Sequence, residues 1–133
     1  YQKHGHVGTD EYPPGPPASR IGKPLEAMEA GTVVTVVRSI GFVKVLIKGH
    51  KYVWWTLNHC DTIKVKVGDT VTRAQVVATV GKRGGAVGAH VHIEVRIKEH
   101  GSDGVFREMF YDPARFMLGG DLADDPRIVP KEV

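Results

Sequence analysis

The chain has 133 residues, of which 41% are hydrophobic and 25% are charged. This length suits a single domain with one hydrophobic core, and the composition is that of a globular protein, which excludes a disordered chain. The 18 basic and 15 acidic residues leave a formal charge of +3. That mild excess suits an anionic surface, but the charges are interspersed and not combined with aromatic residues. The sequence therefore predicts no nucleic-acid binding.

The sequence indicates neither a disulfide framework nor a membrane span. Cys60 is the only cysteine, which excludes an internal disulfide. No stretch approaches the roughly 18 apolar residues of a membrane helix, so no membrane span is predicted. The start, Tyr1-Gln2-Lys3-His4, is neither a signal peptide nor an initiator methionine. We interpret the chain as a monomeric domain of a larger protein, whose export route is not visible in the sequence.

The first 20 residues are predicted to form loops. Residues 1–10 are polar and rich in Gly and His, and Tyr12-Pro13-Pro14-Gly15-Pro16-Pro17 follows them. Because proline fixes φ and lacks an N–H group, this segment excludes a central strand or helix. We expect it to form an exposed loop at the rim of the domain.

Short β-type runs, mostly separated by Gly, Asn or Asp, follow from Gly31 to about Ile97. They predict an all-β core of mainly antiparallel sheets with tight turns. The predicted strands span residues 32–38, 42–48, 52–58, 75–80 and 89–97. Residues 114–118 are expected to form a short helix, and residues 121–133 a linker or tail.

The last predicted strand alternates apolar and polar side chains. Side chains of a strand alternate between its two faces, so the polar members share one face. Those members are His90, His92, Glu94 and Arg96. Two histidines and a glutamate in such a row indicate the lining of a groove.

Two clusters of possible metal ligands lie near opposite ends of the chain. His6 and Asp10 are four residues apart around a glycine, and His90 and His92 are two residues apart. A catalytic zinc site takes three ligands from His, Asp, Glu or Cys and leaves one position open to water. Taken alone, His6 and Asp10 would be interpreted as a hydrogen-bonded surface pair.

These motifs and the residues between them closely resemble the lysostaphin and LytM family of zinc endopeptidases. That family has the pattern H-x-G-x-D, then a lone histidine, then H-x-H near the end. The resemblance extends over about residues 4–118 in the same order. It includes residues 21–27, 30–34, 65–71 and 81–94, together with Asn58-His59 and Tyr111-Asp112-Pro113.

The resemblance implies a lysostaphin/LytM-like catalytic domain over residues 1–120, all-β with a groove-lined core and related to the duplicated hybrid motif. It implies that His6, Asp10 and His92 bind one Zn²⁺ per chain, while His59 and His90 assist catalysis without binding it. The implied function is hydrolysis of peptide cross-links or stem peptides of bacterial peptidoglycan. The enzyme would act at the cell wall as a secreted, periplasmic or phage-borne protein.

Three departures from the family pattern concern substrate contacts more than metal binding. About six extra residues separate Asp10 from Gly22, and Ala86-Val87-Gly88-Ala89 stands where many members have Ser-Thr-Gly-Pro. Leu57 occupies a position where tyrosine is common. The sequence therefore does not predict which peptide bond is cut.

Glu94 and Cys60 each have two interpretations. Glu94 could orient a metal ligand or pair with Arg96 or Lys98. Cys60 follows His59 directly, but adjacent strand residues point to opposite faces and do not readily form a nucleophile–base pair. A buried, inert thiol is therefore preferred to a Cys/His protease.

Two functions other than a peptidase are each suggested by part of the sequence. Residues 65–71 also resemble the turn of biotinyl and lipoyl carrier domains, but the modifiable lysine of Met-Lys-Met or Asp-Lys-Ala is absent. A non-catalytic LytM-type module, binding the wall or activating another hydrolase, would typically have lost metal ligands. All five expected His and Asp positions are present. Trp54 and Trp55 are expected to divide between the core and a groove wall.

Overall fold

A computed structural model describes residues 9–11, by their backbone alone, and residues 21–83 and 90–113. Nine β-strands and no α-helix occur in these ranges. The strands are β1 (Thr9–Glu11), β2 (Pro24–Glu26), β3 (Gly31–Val37), β4 (Phe42–Ile47), β5 (Val53–Asn58), β6 (Thr70–Val71), β7 (Val76–Thr79), β8 (Val91–His100) and β9 (Phe106–Tyr111). The predicted all-β, antiparallel fold is confirmed. The predicted helix at 114–118 and the tail lie outside the described residues.

Seven strands form one antiparallel sheet, and β2 and β7 form a second. The main sheet has the order β1-β8-β5-β4-β3-β6, with β9 also paired to β8. Strand β5 pairs with residues 92–97 of β8. On the other side of β8, β1 pairs with residues 91–93 and β9 with residues 95–100. Strand β8 is therefore enclosed along both sides.

The hydrophobic core covers one face of the main sheet. Alternate residues of β4, β5 and β8 point into it, and Trp55 is fully buried at its centre. The Trp55 indole Nε1 donates to the carbonyl oxygen of Glu29 at 2.9 Å, so its one polar atom is satisfied. Truncating a buried tryptophan to alanine typically costs about 3–5 kcal/mol, so this residue anchors the sheet. Residues from the second sheet, including Val77 and Ala78, belong to the same core.

The five predicted strands correspond to β3, β4, β5, β7 and β8, with ends shifted by a few residues. Strand β8 runs three residues past its predicted end at Ile97, because β9 supplies backbone partners as far as His100. Strand β9 was not predicted from its sequence pattern. It forms by pairing with β8 over residues 95–100. Strands β1, β2 and β6 have only two or three residues each, too few for a periodic signal.

Within the ranges that the structure describes, no helix has the length and apolar character needed to cross a membrane.

Candidate active site

The candidate site lies on the face of the main sheet opposite the core. Cross-strand pairing places Asn58 beside His92 and Thr56 beside Glu94, and directly paired residues share a face. Although this row is polar, it is not open to water. His90, His92 and Glu94 are only 5%, 7% and 7% exposed. Buried polar side chains in such a row must find partners, so their contacts define the site.

Three imidazole rings cluster at one end of β8. The ring centroid of His59 lies 5.1 Å from that of His90 and 6.4 Å from that of His92. His92 lies in β8 and His90 directly precedes that strand, whereas His59 follows the end of β5. The structure thus brings together three of the five histidine and aspartate residues singled out in the sequence.

The backbone at His59 is left-handed, with a φ of 68°. Its N–H donates to the side-chain oxygen of Asn58 at 2.8 Å and is 3.3 Å from the carbonyl oxygen of Ile40. This conformation ends β5 and turns the chain towards β8. It costs a residue with a Cβ about 1–2 kcal/mol, so neighbouring contacts must hold it in place.

Two glycines press against the backbone that follows His59. A Cβ at Gly41 would lie 2.2 Å from the carbonyl oxygen of Cys60, and one at Gly81 would lie 2.5 Å from the nitrogen of Asp61. No Cβ tolerates such distances, so only glycine allows these approaches. Gly81 also forms a β-bridge with His90. The His59 loop is therefore enclosed between the β3–β4 turn and the segment leading to His90.

Arg83 determines the tautomer of His59. The Nδ1 atom of His59 lies 2.6 Å from the carbonyl oxygen of Arg83, and the Arg83 side chain donates from Nε to the carbonyl of Asp61 at 2.9 Å. A carbonyl oxygen only accepts, so Nδ1 carries the proton, and Nε2 carries the lone pair of the neutral ring. The sequence did not single out Arg83, because its contribution is made by the backbone carbonyl.

Glu94 contacts both His92 and Arg96. One carboxylate oxygen lies 3.2 Å from Nε2 of His92, and the other accepts from Nε of Arg96 at 2.9 Å. Burial raises the pKa of Glu94, but the hydrogen bonds from His92 and Arg96, with the charge of Arg96, outweigh burial and leave the pKa below its usual value. Glu94 is therefore a buried carboxylate.

Of the two predicted ligands near the start of the chain, the structure describes the backbone of Asp10 but not His6. The register of β1 on β8 pairs Asp10 with His92, so the backbone places Asp10 on the face that carries the histidines. His6 lies outside the described residues. Among the side chains that the structure does describe, no group of three or more His, Cys, Asp or Glu is arranged to hold a metal ion.

A cavity of about 440 Å³ adjoins the His59 loop. The guanidinium of Arg38 in its wall donates to the carbonyl oxygens of Ile63 and Val65 at 2.8 and 3.2 Å. The lining residues are Arg38, Ser39, Asp61, Thr62, Ile63 and Arg83. Two guanidinium groups and one carboxylate give it a net positive charge, which suits an anionic group.

Cys60 and the two tryptophans contribute to the site only indirectly. Cys60 is fully buried, and burial raises the pKa of its thiol to about 12, so it is no nucleophile. The burial of Cys60 agrees with the inert thiol that the sequence favours. The argument from strand alternation does not apply, because both His59 and Cys60 follow the end of β5. Trp55 lies in the core, while Trp54 is half-buried on the polar face under the ammonium of Lys44 at 4.6 Å.

The match to the model described as peptidase family M23 covers residues 16–104, about two thirds of the chain. The chain belongs to peptidase family M23. The matched region contains His59, His90 and His92, whereas His6 and Asp10 precede it. The chain is also 33% identical over 99 residues to the peptidoglycan DD-endopeptidase ShyB of Vibrio cholerae. That alignment covers 74% of this chain but only 22% of the relative's length.

Solved structures share the fold of this M23 domain. The catalytic domain of the antimicrobial peptidase lysostaphin from Staphylococcus simulans matches with a TM-score of 0.65 and 22% identity, over 84% of this chain and 77% of that one. A zinc-containing peptidase from Vibrio cholerae matches with a TM-score of 0.56 and 31% identity, over 66% of this chain and 26% of that one. The resemblance to lysostaphin seen in the sequence is therefore confirmed.

Proposed function

We propose that this M23 domain is a zinc-dependent endopeptidase that hydrolyses peptide cross-links or stem peptides of bacterial peptidoglycan. The observation that carries the proposal is the cluster of His59 with the buried His90 and His92 beside the strand that contains Asp10. The activity of the V. cholerae relative supports the substrate class.

The donor chemistry of the predicted ligands fits zinc. We assign His6, Asp10 and His92 as the ligands of one Zn²⁺ per chain, a His₂Asp set that leaves one position for water. The pairing of Asp10 with His92 supports two of the three, and the zinc content of one structural relative supports the metal. Bound zinc supplies a water molecule with a pKa near 7 and polarises the scissile carbonyl.

His59 is assigned as the general base. Its Nδ1 proton is donated to the carbonyl of Arg83, so the lone pair that would accept a proton from the attacking water is on Nε2. His90, whose ring lies 5.1 Å away, then stabilises the oxyanion or passes a proton to the leaving amine. The contact between Nδ1 of His59 and the carbonyl of Arg83 supports this division of roles.

The proposed site of action is the bacterial cell wall, reached as a secreted, periplasmic or phage-borne protein. The chain's charge of +3 suits the anionic wall. The cavity with Arg38 and Arg83 beside the site suits the carboxylates of stem peptides. The relative's activity makes the bond between two D-amino acids in a cross-link the first substrate to test.

The test uses the domain after metal removal and again after zinc is restored. Each form is incubated with purified walls of differing cross-bridge chemistry, and mass spectrometry identifies the new amino termini. We expect one zinc per chain and zinc-dependent cleavage, with His92→Ala losing both the metal and the activity. A folded domain that takes up no zinc would overturn the metal assignment. A zinc-loaded domain that releases no peptide from any wall would instead indicate a non-catalytic wall-binding or hydrolase-activating module.

A further inference from the structure

A chain of charged side chains leads away from His92 across the polar face. Glu94 bridges His92 and Arg96, with Nε2 of His92 at 3.2 Å and Nε of Arg96 at 2.9 Å. The side chains of His92 and Glu94 are only 9% and 10% exposed, and that of Arg96 is 20% exposed. Little water therefore competes for these contacts, and each partner limits the positions open to the next.

The far end of the chain is fixed by aromatic rings and a second ion pair. The Arg96 guanidinium lies 5.2 Å from the ring of Phe42 and 4.5 Å from that of Phe110. It also lies 3.6 Å from a carboxylate oxygen of Glu108, which is 2.6 Å from the ammonium of Lys44. Stacking of a guanidinium between two rings restricts its orientation. Arg96 is therefore a rigid partner for Glu94.

The contact with Glu94 determines which nitrogen of His92 holds the proton. A carboxylate only accepts hydrogen bonds, so in the neutral ring Nε2 carries the proton and Nδ1 carries the lone pair. A metal ion binds a histidine through the lone pair. Removal of the carboxylate would allow the other tautomer, whose lone pair is on Nε2, and would allow the ring to turn out of its present orientation.

We propose that Glu94 is a positioning residue, which holds the ring of His92 so that Nδ1 is the metal-binding nitrogen, and that Arg96 in turn fixes Glu94. The metal part of this inference rests on the proposed function. The tautomer part concerns the protein without metal and stands independently. Carboxylates that orient a ligating histidine typically contribute 10–100-fold to metal affinity.

The test combines tautomer and affinity measurements on the whole domain. In the metal-free wild type, nitrogen NMR of the ring at a pH where it is neutral should show His92 protonated at Nε2. Glu94→Gln keeps the volume but removes the charge, so the tautomers should mix and zinc affinity, measured by chelator competition, should fall tenfold to a hundredfold. Arg96→Met should produce a smaller loss in the same direction. The matched control is Asp103→Asn, which removes a carboxylate from an exposed pair with Arg107 and should change neither measurement.

The outcomes separate this inference from the proposed function. If the wild type binds zinc but Glu94→Gln binds it equally well, the positioning role is wrong and the proposed function stands. A neutral His92 that carries its proton on Nδ1 in the metal-free wild type would overturn the inference without any variant, even if Glu94→Gln failed to fold. If the wild type takes up no zinc, the metal part fails together with the proposed function, and the tautomer measurement still decides the role of Glu94.

Discussion

At the scale of single residues, His59 combines an unfavourable backbone conformation with a reactive side chain. Its φ of 68° lies in the left-handed region, which costs a non-glycine residue about 1–2 kcal/mol. The Asn58 side chain and the Arg83 carbonyl hold it there through its N–H group and its ring. Strained residues of this kind cluster at functional sites, and in this domain the strain places an imidazole beside His90.

The backbone cost at position 59 can be measured with two substitutions that both remove the imidazole. His59→Gly relieves the left-handed conformation, whereas His59→Ala retains it. After allowance for the greater freedom of glycine in the unfolded chain, we expect the Gly variant to be roughly 0.5–1 kcal/mol more stable than the Ala variant. Denaturant unfolding of both measures the difference. An Ala variant as stable as the Gly variant would show that the loop relaxes and stores no strain.

The two histidines assigned to proton transfer should be separable from the metal ligands. His59→Ala and His90→Ala should each retain close to one zinc per chain but lose at least about a hundredfold in wall hydrolysis, the lower end for general acid–base catalysis. His100→Ala is the control, because His100 lies at the far end of β8 against Phe106 and should leave the rate unchanged. Loss of zinc from His59→Ala would make His59 a ligand and change the assignment.

At the scale of elements, the site depends on how a turn and a strand end meet. Cys60 donates its N–H to the carbonyl of Gly41 at 3.1 Å, and His59 approaches Ile40 in the same turn. The β3–β4 turn thus supports the loop that carries His59. A substitution in this turn should therefore affect both stability and catalysis.

Gly41→Ala tests this support, with Gly104→Ala as the matched control. Both glycines have positive φ values, 68° and 79°, so both substitutions carry the left-handed penalty. Only at Gly41 would the new Cβ meet backbone, 2.2 Å from the oxygen of Cys60, whereas Gly104 has no atom within 4 Å. Gly41→Ala should be about 1–3 kcal/mol less stable than Gly104→Ala and alone should reduce hydrolysis. Equal stability of the two variants in denaturant would contradict the close approach.

At the scale of the whole molecule, one core holds both sheets together, and Cys60 lies within it. Because the thiol is fully buried and burial raises its pKa to about 12, it is neutral and shielded near pH 8. We expect alkylation of Cys60 to be very slow in the native protein and rapid in guanidinium chloride, so that labelling reports opening of the core. Rapid labelling of the native protein at pH 8 would show that this part of the core opens without unfolding.

The raised pKa of the Cys60 thiol should make the free energy of unfolding depend on pH. Its pKa is raised from 9.0 to about 12 on folding, so the folded state binds the proton more tightly than the unfolded state. The resulting stability is fully present below pH 9 and is lost as the pH rises from 9 towards 12. The stability of the wild type should therefore fall more steeply across this window than that of Cys60→Ala. Parallel curves for the two proteins would mean that the pKa of the thiol is not raised by folding.

The sequence by itself determined the fold class, the family and most of the core strands. The period-two alternation of residues 90–97 and the order of the motifs are local properties, so they can be read without coordinates. The same alternation placed His90, His92 and Glu94 on one face, and the pairing of β5 with β8 agrees with that placement for His92 and Glu94. The assignments of His6 and Asp10 as ligands stay predictions.

Only the tertiary structure decided how these parts meet. The approach of His59 to His90 depends on backbone contacts at Gly41 and Gly81, which join segments far apart in sequence and have no local pattern. The tautomer of His59 depends on a main-chain carbonyl of Arg83, which is chemically the same for every residue type. Strand β9, the extension of β8 and the polar network around Glu94 likewise depend on pairing across the sheet. Such contacts exist only once the core has brought the strands into register, because a side chain acquires partners from other strands only through folding.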